Sequence, residues 1–131
     1  VDLKKEFSTN EKLELDGVWE EIDEGARLLI GRAFNENFTR TWRGLPAGVR
    51  RRIDKGTISQ KKDTELFSEL IANSILLDWE GLTDNGELLV YSKEVAKKML
   101  IQYKEFRSLV WELANDAQLF KDVEMEDDVK N

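Results

Sequence analysis

The sequence contains no cysteine and no histidine. Disulfides, thiolate or imidazole zinc sites, and every Cys/His or Ser/His nucleophile arrangement are therefore excluded. The lack of thiols fits a reducing compartment, and only carboxylate-bound Mg²⁺ or Ca²⁺ remains as metal chemistry. No apolar run reaches the ~18–20 residues a membrane span requires, so no membrane partner is expected. No basic-then-apolar leader opens the sequence, so secretion is not indicated. The eight glycines are scattered, and none forms a phosphate-cradling spacing followed by Lys-Ser or Lys-Thr.

What is present is a highly charged sequence of 131 residues, 40% hydrophobic and 36% charged, long enough for one soluble domain with a real core. The net charge of -7 argues against nucleic-acid binding. The charge is uneven. Between Arg40 and Lys62, eight cations face Asp54 alone, giving +7 and leaving -14 for the remainder. Such separation favours head-to-tail self-association or an acidic partner, beside the simpler reading of a solvated basic helix face. Arg50, Arg51 and Arg52 are consecutive, so on a helix they splay around the circumference and cannot all face one ligand. No aromatic residues interleave with them, as a stacking platform for single strands would need.

Along the chain, 1–16 is polar and reads as a flexible N-terminal arm. Val18–Ile22 and Ala26–Ile30 read as two strands joined by a three-residue loop, Asp23-Glu24-Gly25. Asn35 is a plausible N-cap for a helix through Phe38 and Trp42, interrupted at Pro46, with a second segment over Ala47–Asp54. Ser59 or Thr57 caps a long helix over about 60–79, whose apolar positions from Leu66 to Leu77 have helical spacing. Gly81 is expected to end it in a left-handed conformation. Asp84-Asn85-Gly86 marks a tight turn, and Ser92 opens a last helix over about 92–120. Its seam of Ala96, Met99, Tyr103, Phe106, Val110, Leu113, Ala117 and Phe120 repeats in a heptad-like way. The expected fold is mainly α: a single helical domain over 17–120 with a short N-terminal β-hairpin, followed by a disordered acidic tail over 121–131.

No constellation supports catalysis. Asp78, Glu80, Asp84 and Glu87 lack the alternating spacing of a calcium loop, and Asp78 and Glu80 point apart on a helix. No enzyme activity, cofactor or metal is expected. Trp79, preceded by Leu76 and Leu77, is the expected core tryptophan. Trp111 lies off the last helix's seam and Ile101 and Leu119 project nearly opposite it, so these three are the expected partner or oligomer contacts, with Arg50, Arg51 and Arg52 steering assembly.

Gly17-Val18-Trp19, Phe34-Asn35, Lys55-Gly56-Thr57, Leu77-Asp78-Trp79-Glu80-Gly81, Asp84…Gly86, Tyr91-Ser92 and Phe120 occur in one order. That ordered set resembles the tail assembly chaperones of long, non-contractile-tailed phages. The resemblance implies a non-enzymatic, self-associating protein that binds the tape measure protein and helps recruit tail tube protein. It also implies action in the cytoplasm of the infected bacterial host and absence from the mature virion. A structural ring or connector subunit of the tail or head–tail joint is the alternative class, and would share the helices and charge separation.

Overall fold

A computed structural model describes residues 1–121. The fold is mixed α/β, which corrects the mainly α expectation. Five strands form two antiparallel sheets among the described residues, one of order β1-β2-β3 and one of β4-β5. Strand β1 spans Val18–Asp23, β2 Ala26–Ile30, β3 Leu76–Glu80, β4 Thr83–Asp84 and β5 Glu87–Leu88. The helices are α1 (Leu3–Phe7), α2 (Glu11–Asp16), α3 (Glu36–Arg43), α4 (Ala47–Asp54), α5 (Gln60–Ser74), α6 (Lys93–Gln102) and α7 (Lys104–Asn115), followed by a 3-10 turn at Ala117–Phe120. The acidic tail expected over 121–131 lies, from residue 122 onward, outside the described residues.

Residues 1–16, expected as an arm, carry α1 and α2. Helix α1 buries nothing, and its Leu3 and Phe7 are exposed. Helix α2 is tied down at both ends. The Asn10 amide donates to the Phe120 carbonyl at 2.7 Å and the Glu14 carbonyl accepts from the Arg32 amide at 2.9 Å. The first hairpin forms where the sequence indicated, but Asp23 pairs with Ala26, so the loop is the two residues Glu24 and Gly25.

The long helix expected over 60–79 stops at Ser74, and the rest is strand. Two interactions end it. The Ser74 hydroxyl turns back onto the Leu70 carbonyl at 2.6 Å. The helix's last carbonyls are then taken from outside: Ser74 O accepts from the Asn35 side-chain amide and Ile75 O from the Gly31 amide. The chain leaves as β3 and pairs with β2. Leu29 faces Asp78 but Ile30 faces Leu76, so Leu77 is a bulge. The bulge places Leu76 and Trp79, three residues apart, both in the core. A strand normally buries every second residue, and the bulge converts that period to the helical one the sequence displayed.

The last helix expected over about 92–120, whose continuity near Gln102 the sequence leaves open, is three pieces. Tyr103, with φ -114° and ψ 95°, separates α6 from α7. The Arg107 guanidinium donates to the freed Leu100 carbonyl at 2.8 Å, so the break leaves that α6 carbonyl satisfied. Asp116, also extended, ends α7 and caps the 3-10 turn through Gln118 N. The expected seam is partly displaced: Ala96, Met99, Val110 and Phe120 are buried, but Tyr103 is exposed, and Leu100 and Ala114 are the fully buried neighbours.

The core lies between one face of the three-stranded sheet and α5–α7. Leu28 and Ile30 from β2 meet Ile71, Ile75, Leu100 and Val110, all at 0% exposure. Trp79 is buried as expected. Its indole donates to Leu89 O at 2.9 Å and its ring meets Tyr91 edge-on at 4.9 Å. The Tyr91 hydroxyl donates to Leu76 O at 2.7 Å, and burial, with the nearby Asp78 charge adding, pushes the phenol above its usual value. These bonds pin the β5–α6 connection onto β3. Asn85 and Gly86, with φ 51° and 82°, form the tight turn between β4 and β5.

Gly81 does have a positive φ, +73°, but it follows a strand rather than a helix. A Cβ there would lie 1.9 Å from the Gly25 carbonyl oxygen, because the end of β3 crosses the tip of the first hairpin. Gly86 has a similar φ and open space around it. Gly86→Ala should therefore cost about 1–2 kcal/mol from backbone strain alone. Gly81→Ala should cost about 3 kcal/mol or more, since overpacking adds to the strain. Urea unfolding of both variants checks this, and equal losses would contradict the crossing.

Candidate functional site

The segment Gly31–Asn35 leads from β2 into α3 and fixes the lip of an apolar groove. Its amides are committed in turn: Gly31 N donates to Ile75 O, Arg32 N to Glu14 O and Ala33 N to Ala114 O, all within 2.9 Å. Asn35, 5% exposed, then caps α3 by accepting from Phe38 N at 2.9 Å while its amide donates to Ser74 O. Held at both sides, Phe34 adopts φ +61°, a conformation that costs an L-residue with a bulky side chain about 1–2 kcal/mol. Its ring nevertheless remains 65% exposed. A strained backbone that presents an aromatic ring to solvent is a recognised mark of a binding feature.

Behind Phe34 stands a cluster of rings. Trp111 of α7 meets Phe34, Phe38 and Phe67 at centroid distances of 5.4, 5.9 and 4.9 Å, and Phe34 meets Phe38 edge-on at 5.2 Å. The groove in front of the cluster has a volume of about 540 Å³ and runs between α3 and α5, with Ile53 of α4 contributing. Phe38 and Trp42, one turn apart, line the α3 side; Leu66, Phe67 and Leu70 line the α5 side. The local sequence explains this: Ser59 caps α5 through Lys62 N, which sets the phase of its apolar stripe, and Asn35 does the same for α3.

The surroundings are basic. Arg40 and Arg43 lie on α3, Arg50–Arg52 and Lys55 on or next to α4, and Lys61 and Lys62 on the first turn of α5. Arg40 is paired with Glu36 at 3.3 Å. Asp63 is the carboxylate among the groove's lining residues. Arg50 is half-buried, and its Nε is buried with no hydrogen-bond partner.

The sequence-derived contact residues are not gathered at one place. Trp111 supports the groove from behind as a half-buried residue. Ile101, 37% exposed, sits in a shallow depression of α6 between Glu94, Lys97, Lys98 and Gln102. Leu119 is half-buried against the core from the 3-10 turn. Arg50 is half-buried, whereas Arg51 and Arg52 are exposed on α4. The residues that sequence reasoning missed as a site are Phe34 and the pair Phe67 and Trp42. The i, i+4 spacing of Phe38 and Trp42 was visible, but which helix faced them was not.

A second, smaller depression of about 330 Å³ lies between the sheet hairpins and α6–α7, lined by Ile22, Leu82, Leu89, Met99 and Phe106. Tyr103 borders it and hydrogen-bonds Asp84, which raises its phenol above the usual value. On the outer face of the sheet, Arg27 pairs with Glu80 at 2.7 Å and stacks over Trp19 at 4.1 Å. Each partner's hydrogen bond holds the other charged: Arg27 is raised and Glu80 lowered from the usual values. Among the described residues there is no group of three acidic side chains placed to hold a metal ion, and no helix is long and apolar enough to cross a membrane. What the groove can do chemically is bury apolar side chains beside positive charge.

A protein-family model described as YdaY prophage protein matches residues 32–131. No curated protein and no solved structure matches the chain.

Removing the Phe34 ring should cost little stability, since Asn tolerates the left-handed region. Phe34→Asn is expected within about 1 kcal/mol of wild type, because lost ring contacts and relieved strain offset each other. Phe38→Ala should cost about 3–5 kcal/mol. Denaturant titration distinguishes the two, and a Phe34→Asn loss as large as that of Phe38→Ala would show the lip to be structural.

Proposed function

The chain belongs to the YdaY prophage protein family, and from that premise we propose that it is a non-catalytic phage tail assembly chaperone. It binds the tape measure protein, helps recruit tail tube protein, and self-associates in the cytoplasm of the infected host. The observation that carries this reading is the aromatic groove between α3 and α5, with Phe34 strained open at its lip. The ordered motifs from Gly17 to Phe120 support it independently. A tape measure protein is long, helical and partly apolar, and a groove of this form suits an amphipathic helix anchored at i, i+3/i+4 and i+7.

The magnitudes fit a chaperone better than a permanent subunit. Three Leu-sized anchors supply roughly 5–9 kcal/mol on burial. Lost translational and rotational freedom removes at least ~4 kcal/mol of that. One groove on one segment is therefore weak and releasable, and firm retention needs many copies along one long partner. A ring or connector subunit needs larger, permanent contacts.

Co-expression with the tape measure protein tests the reading. Wild type should keep the partner soluble and co-purify with it. Phe34→Asn and Trp42→Glu should lose at least about ten-fold in co-purified partner while staying folded, as expected if one hot-spot anchor is removed. The chaperone should be absent from purified particles. Unchanged co-purification of both variants, or stoichiometric presence in particles, would overturn the proposal.

A further inference from the structure

The groove's surplus of positive charge and the half-buried Arg50 on α4 specify more than an apolar helix. We infer that the groove takes an amphipathic helix whose apolar stripe is bordered by carboxylates, and that Arg50 receives one of those carboxylates. This rests on the groove being the partner site proposed above and adds the chemistry of the partner.

Three observations carry it. First, Arg50 and Ile53 are three residues apart on α4, and residues at that spacing share a helix face. Ile53 lines the groove, so Arg50, not itself among the lining residues, stands about one turn along α4 from that lining. Second, Arg50 differs from its neighbours. Arg51 and Arg52 are exposed, and Arg52 Nε reaches the Gly48 carbonyl at 3.4 Å, whereas Arg50 is half-buried and its buried Nε has no hydrogen-bond partner. With Nε enclosed, the guanidinium's two terminal nitrogens are the pair left to meet a carboxylate in bidentate fashion. Third, the three helices around the groove carry Arg43, Arg51, Arg52, Lys61 and Lys62 as well. Against these stand Glu36, already paired with Arg40, Asp54 on α4, and three carboxylates on α5: Asp63, which lines the groove, Glu65, and Glu69, which pairs with Lys97 of α6 at 3.8 Å. The three helices thus carry seven cations and five carboxylates, a net +2, and that excess favours a carboxylate-bordered helix over a lysine-bordered one.

The assignment also resolves the three consecutive arginines. Helix geometry forbids all three from gripping one ligand. One is placed to bind at the groove edge, and the exposed two contribute long-range attraction that speeds encounter.

The test uses the full chain and three synthetic amphipathic helices with the same leucine stripe, bordered by glutamate, glutamine or lysine. Binding is read by fluorescence anisotropy at low and high salt. The glutamate helix should bind about ten-fold tighter than the glutamine helix at low salt, as a charge-assisted pair at a partly desolvated site predicts. The lysine helix should bind weakest, and salt should compress the series. In Arg50→Gln the glutamate preference should collapse to a residual set by the other cations, while Arg51→Gln should retain most of it. Equal binding of glutamate and glutamine helices to wild type overturns the inference but leaves the groove as an apolar site. Loss of preference in Arg51→Gln and not in Arg50→Gln overturns the assignment of Arg50. Failure of all three helices to bind overturns both the inference and the groove reading. If the chain instead sediments as a dimer that Arg50→Gln dissociates, the occupant is a second copy and the inference is likewise wrong.

Discussion

The Asn35 side chain joins three parts of the fold through one buried amide. Its oxygen caps α3, its nitrogen donates to the last carbonyl of α5 at 2.9 Å, and the Glu14 carbonyl of α2 lies 3.5 Å from the same nitrogen. Around it, Gly31 N, Arg32 N and Ala33 N bond to Ile75, Glu14 and Ala114 in turn. Gly31 has no room for a side chain, since a Cβ would approach Ser74 O to 2.8 Å. Five residues thus clamp β2, α2, the α5–β3 junction and α7. Every donor in the clamp is matched by a carbonyl that a helix end would otherwise leave unsatisfied. Interactions of this type contribute modestly when made, but a buried group left without its partner costs about 1–3 kcal/mol. Removing one member should therefore be felt by all.

That clamp sets both halves of the molecule. By taking the Ser74 and Ile75 carbonyls it stops α5 and releases Leu76–Glu80 to become the third strand of the sheet. By fixing α3's first turn it aims Phe38 and Trp42 at Phe67 and holds Phe34 in a left-handed conformation at the lip. The strain at Phe34 is small beside the set of bonds on either side of it, which is why it persists. Arg32, at the centre of the clamp, also reaches the Ala114 carbonyl and stacks over Phe120, so the C-terminal 3-10 turn belongs to the same unit. Charge acts on a separate level. The basic side chains of α3, α4 and α5 flank the groove without joining the core cluster, so they can influence which partner binds without determining the fold.

Several local signals in the sequence were read correctly, although the caps at Asp2 and Asn10 that open α1 and α2 were missed. Asn35, Ser59 and Ser92 cap the helices they precede, Asn85-Gly86 turns a hairpin, and Trp79 is buried. The mainly α expectation failed at one place for a nonlocal reason. The apolar residues before Gly81 follow a helical rhythm because a bulge at Leu77 imposes it, and the pairing with β2 that makes the bulge lies some fifty residues away in sequence. A bend near Gln102 was an open alternative that the sequence could not decide: neither glycine nor proline marks the break at Tyr103, and an arginine four residues later stabilises it. The groove was half legible. Phe38 and Trp42 share a face by spacing alone, but Trp111, expected at the surface, proved to be its backing, and the strained exposure of Phe34 follows from contacts no local pattern encodes. Ile101 and Leu119 stand apart from the groove. The prophage family assignment is consistent with the phage resemblance at the coarser level of phage origin.

The clamp is tested most directly by comparing the stabilities of Asn35→Asp and Asn35→Ala at pH 7. Aspartate caps helices as well as asparagine does, but it has no amide to offer Ser74 and sets a carboxylate against backbone carbonyls. If the buried donor is what unites the elements, Asn35→Asp should lose about 2 kcal/mol or more and fare no better than Asn35→Ala. If Asn35→Asp stays within about 0.5 kcal/mol of wild type, capping of α3 is the residue's whole contribution and the clamp is not what holds these elements together.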